Sequence, residues 1–230
     1  MTTIERNLYA VRDRMTTACV VAGRDTVSVS LLAVSKTFGA GAVLEAMATG
    51  QRAFGENYIA EGVEKIIALR EHTTLVWHCI GPVQSNKTRL VAEHFDWVQS
   101  VDRLKIAQRL SEQRPAHLAP LQICIQVNID GGANKSGVTP SELPELVAEV
   151  IKLPKLRLRG LMTLPEPATN FEAACAQHSL AKALFDSINA AKTLVEPLDT
   201  LSMGMTADLE AAIQAGSTLV RVGTAIFGKR

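Results

Sequence analysis

Eight short apolar runs recur along this chain, and each is separated from the next by a stretch of helical composition. The runs cover residues 31–38, 52–58, 75–81, 97–101, 121–127, 156–164, 200–203 and 219–227. Unbroken Val, Leu and Ile runs are the pattern of strands buried on both faces, which is how parallel strands between helices read. Strict strand–helix alternation with no compositional break and no linker predicts one domain over residues 1–230, a single (β/α)8 TIM barrel. The runner-up is an open doubly wound sheet, which would carry a glycine-rich nucleotide turn after its first strand. Gly39-Ala40-Gly41-Ala42-Val43-Leu44 fails the GxGxxG pattern at its last position.

Ile4, Leu8, Val11, Met15 and Ala18 recur at steps of three and four, so an extra N-terminal helix is expected before the first strand. With the eighth strand taken through Phe227, no helix is expected to follow it, and the N-terminal helix should cover the vacant place in the outer ring. Two local signals set helix starts. Asp102 can cap the helix that carries Leu104 to Leu110, and Thr139-Pro140-Ser141-Glu142 reads as a capping box with proline at the first helical position.

Lys+Arg 24 against Asp+Glu 23 leaves a net charge of +1, without the basic excess that a nucleic-acid or membrane-surface protein needs. Cys19, Cys79, Cys124 and Cys175 are scattered with no CxxC, and Cys79 beside His78 would point to the opposite face of a strand, so no metal site is expected. These read as reduced thiols of a cytoplasmic protein. The N-terminus has no signal-peptide core, and no apolar run is long enough to span a bilayer.

In a barrel of this kind the active site gathers where the strands end. The first run, Leu31 to Phe38, stops on a single lysine, Lys36, and partial desolvation there favours the neutral amine that attacks carbonyls. Asn57 follows the second strand, His78 and Gly81 end the third, and Met162 ends the sixth. Ser202-Met203-Gly204-Met205-Thr206 runs directly into a helix, next to Gly223-Thr224, and together these form an anion site suited to an organic phosphate. Arg221 alternates with Val220 and Val222, so it faces the barrel interior and needs a partner: a pyridine nitrogen, or a carboxylate such as Glu166 or Asp199. Lys87 and Lys135 lie in polar loops and fit phosphate or loop contacts better than covalent chemistry.

Ala33-Val34-Ser35-Lys36, Phe54-Gly55-Glu56-Asn57-Tyr58, Trp77 to Lys87, Gly160-Leu161-Met162, Leu201 to Met205 and Val220 to Gly228 together resemble the pyridoxal phosphate homeostasis proteins. That family is similar to the barrel domain of alanine racemase, the fold type III class. The resemblance implies that Lys36 holds pyridoxal 5'-phosphate as a Schiff base, that Ser202, Gly223 and Thr224 hold the phosphate, and that Arg221 faces the pyridine nitrogen, with Gly204 at the end of strand seven a further cofactor-binding residue. It places Asn57, His78 and Met162 around the pocket and Lys135 in a loop that serves cofactor transfer. Cys79 stands where an aromatic residue is common, and Gly131-Gly132-Ala133 make the fifth loop unusual.

The function this implies is a monomeric carrier that buffers pyridoxal phosphate and passes it to apo-enzymes, with little or no catalysis of its own. An arginine at the pyridine nitrogen weakens the ring as an electron sink. Racemisation also needs a second base, which in alanine racemase comes from a C-terminal β domain that this chain is expected to lack. The alternatives are a weak amino-acid racemase or other fold type III enzyme, and a Schiff-base aldolase acting on a phosphosugar.

Overall fold

The computed structural model describes residues 1–132, 136–191 and 194–229. Its strands β1 (Ser30–Val34), β2 (Ala53–Glu56), β3 (Val76–Cys79), β4 (Trp97–Val101), β5 (Leu121–Val127), β6 (Leu156–Thr163), β7 (Thr200–Ser202) and β8 (Leu219–Val222) close into one barrel in chain order. Every pairing is parallel, and β8 closes on β1 from Ser30 opposite Leu219 to Ala33 opposite Val222. Around them run α1 (Thr3–Val21), α2 (Ala40–Ala48), α3 (Ile59–Ala68), α4 (Thr88–His94), α5 (Leu104–Gln113), α6 (Leu143–Val150), α7 (Phe171–Ala190), α8 (Leu209–Gln214) and the single turn α9 (Thr224–Phe227). The expected (β/α)8 barrel with an additional N-terminal helix is thus the fold observed.

Two buried layers follow from the alternation of side chains along each strand. Outward-facing Ala33, Phe54, Val98, Ile123, Leu161, Leu201 and Val220 meet the inner faces of the helices, among them Leu8 and Val11 of α1 and Ile106, Ala107 and Leu110 of α5. Each large side chain in this layer contributes about 1.5–3 kcal/mol by leaving water. The barrel interior is mixed. Leu32, Cys124, Met162 and Leu219 are buried apart from the helix-side core, and His78, Gln99, Ser202 and Arg221 are buried polar residues.

The N-terminal helix takes the place expected of it, against α8, α9 and α2. Asn7 Nδ2 donates to the Ile226 carbonyl at 2.9 Å, and Arg14 pairs with Glu210 at 2.7 Å and donates to the Thr206 carbonyl at 3.0 Å. Thr2 and Glu5 form the capping box that starts it.

Four details depart from the sequence reading. Strand β8 stops at Val222, and Thr224–Phe227 coil into one helical turn because the Ile226 and Phe227 amides both donate to the Gly223 carbonyl. A short helix therefore does follow the eighth strand. Strand β1 stops at Val34, so Lys36 lies in the turn after the strand. Asp102 pairs with Arg103 and does not cap α5. Thr139 and Glu142 exchange the reciprocal bonds of a capping box, but α6 begins at Leu143, with proline in its first turn.

Candidate functional site

A cavity of about 310 Å³ opens where the strands end, lined by Lys36, Asn57, Met162, Thr206, Arg221 and Thr224, with Val34, Ile80, Leu164, Met205, Ala207 and Gly223 completing the wall. Six residues expected from the sequence meet here: Lys36, Asn57, Met162, Arg221, Gly223 and Thr224. Lys36 is half-buried and, among the described residues, its amine has no hydrogen-bond or ionic partner. Asn57 reaches the wall because Gly81 lacks a side chain: a Cβ there would stand 2.1 Å from the Asn57 carbonyl oxygen.

Arg221 supplies the charge. It is buried beneath the cavity, with Nη1 donating to the Ser202 carbonyl at 2.8 Å and the Ser202 hydroxyl at 2.7 Å, and Nη2 donating to the Thr163 carbonyl at 2.8 Å. Burial pulls its pKa down to about 10, which leaves it cationic at neutral pH. Neither Glu166 nor Asp199 is its partner; Asp199 forms an ion pair with Arg159. A guanidinium carries five N–H donors. Three are consumed below, so Nε–H and one Nη2–H are what the residue offers a ligand.

The donors of Arg221 fix the hydrogen-bond direction through the barrel interior. Arginine only donates, so the Ser202 hydroxyl accepts from it and turns its own proton to Gln99 Oε1, at 2.6 Å. The Gln99 amide nitrogen then donates to His78 Nδ1 at 2.9 Å, and the neutral ring carries its proton on Nε2. Burial pushes the His78 pKa down to about 3, in keeping with a ring that must accept at Nδ1.

Three expected site residues therefore stand elsewhere. His78 stacks on Trp97 at 5.0 Å and lines a different cavity of about 330 Å³ at the opposite mouth, whose wall includes the first residues of β1, β2, β4 and β8. Its strand ends at Cys79, and the ring lies below the level of Lys36. Ser202 is fully buried beneath Arg221 and does not reach the cavity. Gly204 turns the chain at φ +91°, with a Cβ position 2.4 Å from Ala212 Cβ, so its role is close packing on α8. Lys135 lies outside the described residues.

Thr206, which the sequence marked only as the last residue of the anion segment, also lines the cavity, and its supports are the residues the sequence reading passed over. The Thr206 and Thr224 hydroxyls stand 3.2 Å apart on the cavity wall. Among the described residues, the amides of Thr206, Ala207, Thr224 and Ala225 have no protein acceptor, as expected at the starts of helical turns. Hydroxyls and free amides collected at one spot form a cradle for an anion. Asp208 shapes its loop by accepting from the Met205 amide at 2.7 Å and from His178 Nε2 at 2.9 Å. Burial would raise the Asp208 pKa, but these two bonds hold it below the usual carboxylate range. The signal for Thr206 was present in the sequence, since it follows the strand-end glycine where a helix start is expected, although 206–208 form a turn and α8 begins only at Leu209.

Behind Lys36 lies a second lysine. Lys65 is buried and donates to Glu56 Oε1, Glu61 Oε1 and the Ser35 carbonyl, each at 2.7 Å. Glu56 also accepts from the Ser35 hydroxyl at 2.6 Å, and burial raises its pKa despite these bonds. Among the described residues no group of three His, Cys, Asp or Glu could hold a metal ion, and no helix is long and apolar enough to cross a membrane. The buried thiols of Cys79 and Cys124 are pushed up to about 12 by desolvation, which makes them unreactive.

The family pattern of the alanine racemase N-terminal domain matches residues 4–230. A pyridoxal phosphate homeostasis protein of Escherichia coli is 52% identical over 232 residues, covering 100% of this chain and 98% of its own length. One from Pseudomonas aeruginosa is 55% identical over 230 residues, covering 100% and 97%. This chain belongs to the pyridoxal phosphate homeostasis protein family. Among solved structures, PipY of Synechococcus elongatus superimposes with TM-score 0.84 at 33% identity, over 98% of this chain and 100% of that one, in a structure with pyridoxal phosphate bound. An alanine racemase of Clostridium difficile shares the fold with TM-score 0.74 at 17% identity, and this chain covers 57% of it.

Proposed function

We propose that this protein holds pyridoxal 5'-phosphate as a Schiff base on Lys36, buffers the free aldehyde and releases it to apo-enzymes. The observation that carries this reading is the convergence, in one cavity of about 310 Å³, of an unpartnered amine, a buried guanidinium with two spare donors and a double-hydroxyl anion cradle. These groups match the ligand's aldehyde, ring nitrogen and phosphate. When bound, the cofactor supplies an electrophilic carbonyl and an aromatic nitrogen that accepts hydrogen bonds.

The chain's own residues then divide the work. Thr206 and Thr224 bind the phosphate with the amides around them, and Arg221 orients the ring by donating to its nitrogen. Met162, Ile80 and Leu164 exclude water from the ring. Arginine does not give up its proton at neutral pH, so the ring nitrogen stays unprotonated and stabilises a carbanion poorly. Among the described residues, Lys36 is the one amine on the wall. This chemistry favours capture and release over turnover. The reading treats the protein as a monomer working in the cytoplasm beside the enzymes it would supply, where its four free thiols stay reduced.

The test is an absorption spectrum of protein mixed with pyridoxal phosphate, followed by borohydride reduction, intact mass and peptide mapping. A near-visible band and a reduced adduct on Lys36, both absent from Lys36→Ala, are expected. No adduct, or an adduct on Lys87 or Lys135, overturns the assignment. Interconversion of D- and L-amino acids that is lost in Lys36→Ala would replace the carrier with a weak racemase.

A further inference from the structure

Lys36 sits between two peptide groups that are gripped from outside the barrel by a single ion cluster. On one side, Lys65 Nζ donates to the Ser35 carbonyl at 2.7 Å; on the other, the Thr37 amide donates to Glu61 Oε1 at 2.5 Å. The same Glu61 oxygen takes Lys65 at 2.7 Å, one helical turn along α3, and Lys65 spends its third donor on Glu56 at the end of β2. Thr37 is held at φ +68°, a left-handed conformation that a β-branched residue adopts only at a cost. A strained residue persists where its surroundings impose it, and here the imposing group is the Glu61 carboxylate. Buried ion pairs are weak sources of stability in themselves, so the placement of this one around the reactive lysine calls for a different account.

We infer that Glu61 and Lys65 are positioning residues for Lys36: they lock the peptides on either side of it and so hold its amine over the cavity. This rests on the reading of Lys36 as the residue that captures pyridoxal phosphate. With both flanking peptides fixed, the amine moves only through its own side-chain torsions, which raises its effective concentration at a bound aldehyde. Neither residue touches the cavity. Their influence therefore falls on the covalent step alone, and the phosphate and ring contacts made by Thr206, Thr224 and Arg221 are independent of them.

Two ligands separate these contributions. Pyridoxal phosphate uses the phosphate cradle, Arg221 and the lysine; pyridoxine 5'-phosphate has the same ring and phosphate but a hydroxymethyl group in place of the aldehyde. Glu61→Ala removes the Thr37 anchor on a partly exposed helix surface, Glu61→Gln keeps an acceptor but loses the charge, and Glu64→Ala makes the same charge change on an exposed neighbour. For Glu61→Ala, pyridoxal phosphate is expected to bind about tenfold more weakly and to leave correspondingly faster, as for the loss of one positioned contact. Pyridoxine phosphate should bind as to wild type, Glu61→Gln should fall between, and Glu64→Ala should match wild type for both ligands. Equal loss of both ligands in Glu61→Ala, or unchanged affinity for both, overturns the inference. Failure of the underlying reading looks different: wild type itself then forms no reducible adduct on Lys36.

Discussion

The polar thread through the barrel predicts how the fold responds to acid. His78 is 3% exposed, stacked on Trp97, and must accept a hydrogen bond from Gln99 at Nδ1. Its pKa falls from 6.5 to about 3 because the charged ring would lose its water. Above pH 6.5 the ring is neutral in both folded and unfolded chains and pH has no purchase on it. Below 6.5 the unfolded chain takes up a proton that the folded chain refuses until about pH 3, so stability falls as pH falls, by up to about 1.4 kcal/mol per pH unit. Between about pH 7.5 and about pH 5 the loss from this one residue comes to about 2 kcal/mol.

His78→Asn isolates that contribution. The Asn oxygen can accept from Gln99 much as Nδ1 does, and it does not titrate in this range. The variant gives up the ring stack, about 0.5–1.5 kcal/mol at every pH. Urea unfolding of both proteins across the pH range measures the difference, in which other groups cancel. Glu56 is one of these, with a pKa raised by burial and the opposite pH dependence. The wild-type advantage should shrink by about 2 kcal/mol on acidification, enough to reverse its sign. Parallel stability curves would refute the argument, because they would mean that the ring carries its proton in the fold and that the direction read through Gln99 and Ser202 is wrong.

Ser202→Ala should cost about 2 kcal/mol in chemical denaturation, since it leaves Gln99 Oε1 buried without its donor and strips Arg221 of one acceptor. Gly81→Ala places a Cβ 2.1 Å from the Asn57 carbonyl oxygen, a backbone atom that has little room to yield. About 3 kcal/mol of lost stability is expected, together with displacement of Asn57 that lowers ligand uptake in a titration. Thr206→Ala combined with Thr224→Ala should weaken pyridoxal phosphate by about 100-fold, from about 1.5 kcal/mol for each bond to a charged group, yet leave unphosphorylated pyridoxal unaffected. Equal effects on the two ligands would show that the hydroxyls serve the fold and not the phosphate.

The barrel was legible because strands buried on both faces read as continuous apolar runs, and Lys36 because a lone lysine ends one of them. The errors around β7 have a local cause. Ser202 to Thr206 spans only five residues, but the chain turns at Gly204 and the Met205 amide is tied to Asp208, so the residue inside the strand points beneath Arg221 while the residue after the turn reaches the cavity. Sequence spacing marked the segment as an anion site and could not say which hydroxyl faces which way. His78 was misplaced for a related reason. Its strand ends two residues before Gly81, and the ring lies at the level of the far mouth. Glu61 and Lys65 were passed over altogether, because an acid and a lysine four apart on a helix read as a solvated surface pair. Only the docking of α3 across the ends of β1 and β2 buries that lysine and turns the pair inward.

The two groups central to the proposed capture are thus held by separate means. Arg221 is fixed from beneath, by Ser202, Gln99 and His78 along the barrel axis; Lys36 is fixed from the side, by Glu61 and Lys65 outside the strands. The two supports share no residue, and their perturbations should be close to additive in free energy. Glu61→Ala acts on the covalent bond, Ser202→Ala on ring orientation and fold stability. A double variant should therefore weaken pyridoxal phosphate by the product of the two single effects, while pyridoxine phosphate should register the Ser202 change alone. A double variant that binds pyridoxal phosphate no more weakly than Glu61→Ala does would mean that one support acts through the other, and the separation argued from these contacts would fail.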